Sequence, residues 1–228
     1  MTALSTAQVA SLYRTLSASR MKTFDDAVMH STCSALDLYA WNANVSASLL
    51  APLHICEVSL RNAIAEAIEY KYGPDWPWDA SFQRSLPDPG GRGVYSPRRD
   101  IVNVASRYQS TGKIIPELKF VFWETMLTAR HDGRLWNSLL DMIFPNLPVF
   151  PALSPRKSVK LGRLHLHARI ENIRSLRNRI AHHEPIFTRN LMADMHAITA
   201  ITRARCETTC DWMLQTEQAT ATILQRPI

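Results

Sequence analysis

Arg177, Asn178 and His182 fall within the stretch "RSLRNRIAHHEPIF", residues Arg174 to Phe187. Their types suit one chemistry. Histidine titrates near neutrality and moves a proton as base or acid. Arginine offers planar donors that fit a phosphate and the charge that develops on it. Together they suit cleavage of an RNA backbone, where a 2′-hydroxyl attacks the adjacent phosphate and no metal is required. Asn178 is placed to hold the histidine or a phosphate oxygen. His183 and Glu184 are further acid–base candidates, but Pro185 turns the chain there and the sequence does not fix their aim.

These residues need a helix to position them. On an ideal helix Arg177 and His182 are about 140° apart in azimuth and about 7.5 Å apart along the axis, while Asn178 and His182 share a face. Leu166, Ile170, Ile173, Arg177 and Ile180 step by four, three, four and three, so the pattern assigns Arg177 to the core. A buried guanidinium costs several kcal/mol unless it is paired. The stretch Val45 to Tyr72 supplies a partner. Leu49, Leu53, Cys56, Leu60, Ala63 and Ala67 draw one apolar seam down it. Beside that runs Leu50, His54, Glu57, Arg61, Ile64 and Ile68, apolar at its ends and polar in its middle. Glu57 is one turn from Arg61 and is the expected carboxylate for Arg177. A purely structural salt bridge satisfies the same pattern. So does, for His182, a helix-end residue whose cation answers the helix dipole. A two-fold dimer laying two such helices together would double every group at the seam.

Helix signals dominate elsewhere too. Ser5 with Gln8 reads as a capping box ahead of "VASLYRTL". "FDDAVMHSTCSALDLYAWN" has a rough helical spacing, and Gly73-Pro74 ends the Val45–Tyr72 helix. Residues 73–96, rich in Pro and Gly, read as a long loop. Ser96-Pro97 opens a helix that Gly112 ends. Pro116 starts "ELKFVFWETMLTAR", and Gly133 separates it from "RLWNSLLDMIF". A second Pro-rich loop spans Pro145 to Pro155. The motif helix runs from about Lys157 to His183, and a last long helix from about Thr188 to Leu214, with a frayed tail. With no convincing strand pattern, the expected fold is all-α: one domain over 1–228, core about 16–187, and a C-terminal helix about 188–215.

The totals narrow the function classes. At 228 residues, 46% hydrophobic and 20% charged, the chain is a globular protein and not a disordered one. A formal net charge of +6 favours an anionic partner, nucleic acid ahead of lipid. No unbroken run of about 18 apolar residues is present, and the first ten residues lack a basic segment followed by an apolar one. The expectation is a cytoplasmic protein with no membrane partner. Cys33, Cys56, Cys206 and Cys210 sit in apolar patterns as reduced thiols. Cys206 and Cys210 share a helix face but have no second cysteine pair to complete a zinc site. His165 and His167 diverge by about 200° on a helix. No metal or cofactor is expected.

At the motif the chain resembles a known family. "RNRIAH", Arg177 to His182, resembles the R-x(4–6)-H motif of the HEPN superfamily, with a polar residue directly after the arginine. "LRNRIAHHEPIF", "LHICEVSLRNAI" (Leu53 to Ile64), "LYAWN" (Leu38 to Asn42) and "FVFWETMLTARHDGRLWNSLL" with "IFPN" resemble the Abi-like (AbiD/AbiF-type) abortive-infection branch. The resemblance spans roughly Leu16 to Phe187. It implies an HEPN-type helical bundle with extra helices and two long Pro/Gly-rich loops. It implies a homodimer with a composite cleft, and a metal-independent endoribonuclease acting in phage defence or as a toxin. It also implies RNA as substrate, and a small antidote RNA as a further possible partner. Carried over, Arg177 and His182 are the catalytic pair, Asn178 the accessory polar residue, and Glu57 the acidic residue supporting the arginine. Arg61, Asn62, Arg174, Arg179 and His183 are candidates for substrate contact. In the 73–96 loop and just beyond, Trp76, Trp78, Phe82, Arg84, Arg92, Tyr95, Arg98 and Arg99 can either stack bases and contact phosphates or plug the side of the core.

Three readings stay open: a dimeric ribonuclease, a non-catalytic RNA- or nucleotide-binding HEPN module, and a structural helical protein with a buried Glu57–Arg177 pair.

Overall fold

A computed structural model describes residues 4–148 and 155–228, with the side chains of residues 156 and 157 left aside. Among the described residues the chain is all-α, with twelve helices and no strand. The first two are α1 (Thr6–Leu16) and α2 (Ala18–Val28). They are followed by the 38-residue α3 (Ala35–Tyr72), the helix around which the others gather. Ser34 opens α3 by accepting the Asp37 amide, and Gly73, at φ +82°, closes it with a bond from its N–H to the Glu69 carbonyl. The expected seam holds: Leu49, Leu53, Cys56, Leu60, Ala63 and Ala67 are all buried. α3 starts ten residues earlier than its most regular stretch and passes through Pro52, while the segment 29–34 breaks what read as one helical pattern.

The stretch after Gly73 is more ordered than its composition implied. It holds a 3₁₀ turn, Trp76–Trp78, and the short helix α4 (Ala80–Ser85) before an open segment leads to α5 (Pro97–Ala105). Trp76 and Phe82 are wholly buried and meet edge-to-face. The Trp78 indole donates to the Ala105 carbonyl. Trp76 and Phe82 plug the core and are not free to stack bases, whereas Trp78 keeps about a third of its surface in water. Arg98 donates to the carbonyls of Gln83, Arg84 and Leu86, and Arg99 to Asp88 and two carbonyls, so both tie down the loop. Gly112 lies inside α6 (Thr111–Glu117), as does Pro116, so neither marks the boundary expected of it.

Then come α7 (Phe120–Met126), a π-helical turn at Asp132–Trp136, α8 (Asn137–Ile143) and the 27-residue α9 (Pro155–Ala181). Most of the second Pro-rich loop, 149–154, lies outside the described residues. α9 packs on α3, α7, α8 and α10 (Leu191–Arg205). The expected long C-terminal helix is three helices: α10, α11 (Glu207–Thr216) and α12 (Ala219–Leu224). Cys206 breaks the first from the second and caps α11, so Cys206 and Cys210 do not share one continuous helix. The tail docks, with the Trp41 indole on α3 donating to the Thr222 carbonyl.

α3 is also long and apolar enough to cross a membrane by length and composition, which a search for an unbroken apolar run passes over. Here its faces lie against α2, α6, α7, α8, α9, α10, α11 and α12.

Candidate functional site

The apolar seam of α9 runs Val159, Arg163, Leu166, Ile170, Ile173, Leu176 and Ile180. Arg177 is therefore not a core residue as the four-three pattern suggested. Its side chain is 43% exposed, and Leu176 takes the core position beside it. A period of 3.6 lets either neighbour border the seam. Burying leucine gains about 2 kcal/mol, whereas burying a guanidinium costs several, so the helix settles with Leu176 inward.

Arg177 still meets the expected carboxylate. Its Nε lies 3.8 Å from Glu57 Oε2, across from α9 to α3. Glu57 is shared, because Arg61, one turn on, also pairs with it through Nη2. Arg61 Nη1 reaches the Pro116 carbonyl at 3.4 Å. Burial pushes the Arg61 guanidinium below its ordinary value; Glu57 opposes that shift and Arg177 adds to it. Two cations thus face one carboxylate, and the half-exposed Arg177 retains donors for an anion from solution.

One turn before Arg177, Arg174 pairs with Glu124 of α7. Glu124 is 8% exposed among Phe122, Trp123 and Met126, and sequence reasoning missed it. The signal was available: a glutamate inside "FVFWETM", an otherwise apolar run, needs a cation for a partner.

The far end of the motif is held by backbone geometry. The His183 N–H bonds to the Ile180 carbonyl and the Glu184 N–H to the Arg179 carbonyl, both at the end of α9. This is a Schellman closure, and His183 occupies its left-handed position at φ +55°, where glycine is usual. Asn42 of α3, 8% exposed, receives the N–H groups of Ile186 (2.8 Å) and Phe187 (3.2 Å) on its Oδ1. Arg20 of α2 donates to the His183 carbonyl at 2.7 Å. Arg179 turns back on the same closure, donating to the Pro185 carbonyl and lying 3.6 Å from Glu184. The C-terminal end of α9 is thus fixed from both α2 and α3. Asn42 and Arg20 carry this role without any periodicity that would reveal it.

The structure gathers Glu57, Arg61 and Arg177 into one cluster. Arg174 lies on the same helix one turn away but is engaged by Glu124. Arg179 and His183 belong to the helix-end closure instead. Asn62 is exposed on α3, and Asn178 is half-buried. His182 is exposed, and among the described residues its ring has no hydrogen-bond partner, in particular none on Arg177. Among the described residues no three His, Cys, Asp or Glu side chains gather as a metal site. His165 faces Arg169 at 3.0 Å, which together with burial lowers its pKa, burial being the larger cause.

Comparison of the chain with protein-family models, with curated proteins and with solved structures gave no match in any of the three.

Proposed function

We propose that the chain is a metal-independent endoribonuclease of HEPN type, an Abi-like effector of abortive infection that works as a cytoplasmic homodimer. The observation that carries this reading is the placement of Arg177. It is held by Glu57 from a second helix yet half-exposed, beside Asn178 and about one and a half turns before the exposed His182. A cation pinned at its base and open at its tip binds a phosphate without reorganising. An exposed histidine at a fixed helix end is free to transfer a proton to or from a bound substrate.

In the proposed reaction His182 takes the proton of the 2′-hydroxyl, which attacks phosphorus. The bond to the 5′-oxygen breaks, and that oxygen is protonated by the second protomer's copy of the histidine. The products are a 2′,3′-cyclic phosphate and a 5′-hydroxyl. Arg177 meets the charge on the phosphate, and Glu57 keeps the guanidinium oriented. A small antidote RNA bound over the same cations would hold the activity in check.

The second reading is a non-catalytic RNA- or nucleotide-binding module. The lack of a bond between His182 and Arg177 within one chain favours it, because a lone protomer has no assembled proton-transfer pair. Incubating the protein with total cellular RNA in EDTA, beside Arg177→Ala and His182→Ala, separates the two. The ribonuclease reading expects fragments with cyclic phosphate ends from the unaltered protein only. Salt-sensitive binding without fragments selects the binding module. Cleavage by His182→Ala overturns the catalytic assignment.

A further inference from the structure

Next to the helix-end closure lies a groove of about 270 Å³. Its floor is α3, where Ala43 and Ala47 turn outward and leave room that larger side chains would fill. One wall carries the half-buried Tyr39 ring, held edge-on against Phe24 at 5.1 Å between centroids. The rim is polar and mixed in character. Asn42 has spent its Oδ1 on two backbone donors, so its amide N–H₂ is the free end, and its orientation is fixed by that network. Arg20 has spent one nitrogen on the His183 carbonyl and keeps the others. Glu184 adds an acceptor-only carboxylate, half-exposed and 3.6 Å from Arg179.

We infer that this groove receives one unpaired nucleobase of an RNA strand whose phosphate lies at Arg177 and His182, and that Glu184 and Asn42 set which base is preferred. The inference rests on the RNA-acting reading above. At about 270 Å³ the groove is small for a folded partner element and has room for a single ring-sized group. It offers the half-buried Tyr39 ring together with donors on Asn42 and Arg20 and an acceptor on Glu184, the kinds of group by which splayed bases are read. It is also continuous with the reactive end of α9: Ile180, His183 and Glu184 line it, and they flank His182 on both sides. The net +6 of the chain as a whole suits a polyanion, while the rim itself carries both Arg20 and Glu184.

The test is a groove-filling variant, Ala47→Phe. Ala47 is exposed on a helix, so the variant is expected to fold, and circular dichroism with a thermal melt verifies that. Short RNAs randomised in sequence are cut with unaltered protein, Ala47→Phe and Glu184→Gln, and the ends are sequenced. In parallel the four nucleoside 5′-monophosphates are titrated onto His182→Ala, with and without Ala47→Phe. The expected result is one base enriched roughly tenfold at a fixed position beside the cut. That preference is lost in Ala47→Phe and altered in Glu184→Gln, and monophosphate binding is abolished by Ala47→Phe. Cutting with no base preference, or with the same preference in Ala47→Phe, overturns the inference and leaves the ribonuclease reading standing. If no RNA is cut, that reading fails, and the titration alone decides the groove. Binding that Ala47→Phe abolishes supports the groove; binding that ignores Ala47→Phe, or no binding at all, overturns it.

Discussion

Helix α9 presents an arginine to an acid near each of its ends, and the two pairs differ in kind. Towards its start, Arg163 is 3% exposed, lies 2.5 Å from Asp132, and donates to the Leu127 carbonyl at 2.9 Å. Towards its end, Arg177 is 43% exposed and shares Glu57, at 3.8 Å, with Arg61. The first cation is used up inside the molecule and joins α9 to the π-helical turn. The second is held at one side and open at the other. An arginine in a helical seam therefore carries no function by its presence alone. What separates a brace from a candidate phosphate site is how much of the guanidinium stays in water, and whether its carboxylate is already shared.

The comparison is sharpest under mutation of the buried pair. Arg163→Ala strands Asp132 and the Leu127 carbonyl, and should lower unfolding stability by about 3 kcal/mol, read by urea denaturation. A loss below about 1 kcal/mol would erase the distinction between the two ends.

The second effect is on pH. His131 adjoins Asp132, is 1% exposed, and is pushed down to about 4, first by burial and then by Arg130 and Arg134. Its folded value lies below its unfolded one, so its contribution is fully present above about pH 6.5. As pH falls from there towards 4, the unfolded chain takes up a proton that the folded chain refuses, and stability drops by roughly 3 kcal/mol in total. Denaturation midpoints measured across that window, with His131→Phe flattening the slope, check the sign.

Smaller effects belong to the exposed end. Glu57→Ala leaves Arg61 and Arg177 facing each other and should cost about 2 kcal/mol. Arg177→Ala leaves the Glu57–Arg61 pair intact and should cost under about 1 kcal/mol. Equal losses would mean that Arg177 is as structural as Arg163. The smallest change is a gain: His183→Gly removes a side chain from the left-handed position and should stabilise by roughly 1 kcal/mol in a thermal melt.

Much of this frame was legible in the chain. The apolar seam of α3 is written at intervals of four and three, and so is most of that of α9. Glu57 stood out as the one acid in the polar middle of α3. Continued back one step from Leu166, the α9 seam meets Arg163, the truly buried arginine of this helix, before it reaches Arg177. The breaks at 29–34 and at Cys206, and the helical turns within 73–86, were not legible, because packing decided them against weak local preferences.

Pattern and side-chain type alone show that the chain is helical, where the apolar seam of α3 and most of that of α9 lie, and which residues are of kinds suited to phosphate chemistry. These follow from a 3.6-residue period and from side-chain type, both local properties. Packing decided that Glu124 answers Arg174. It also decided that Asn42 and Arg20 fix the end of α9. Each of these depends on what a neighbouring helix offers at close range, and groups as far apart in sequence as Arg20 and His183 meet only when the core is packed.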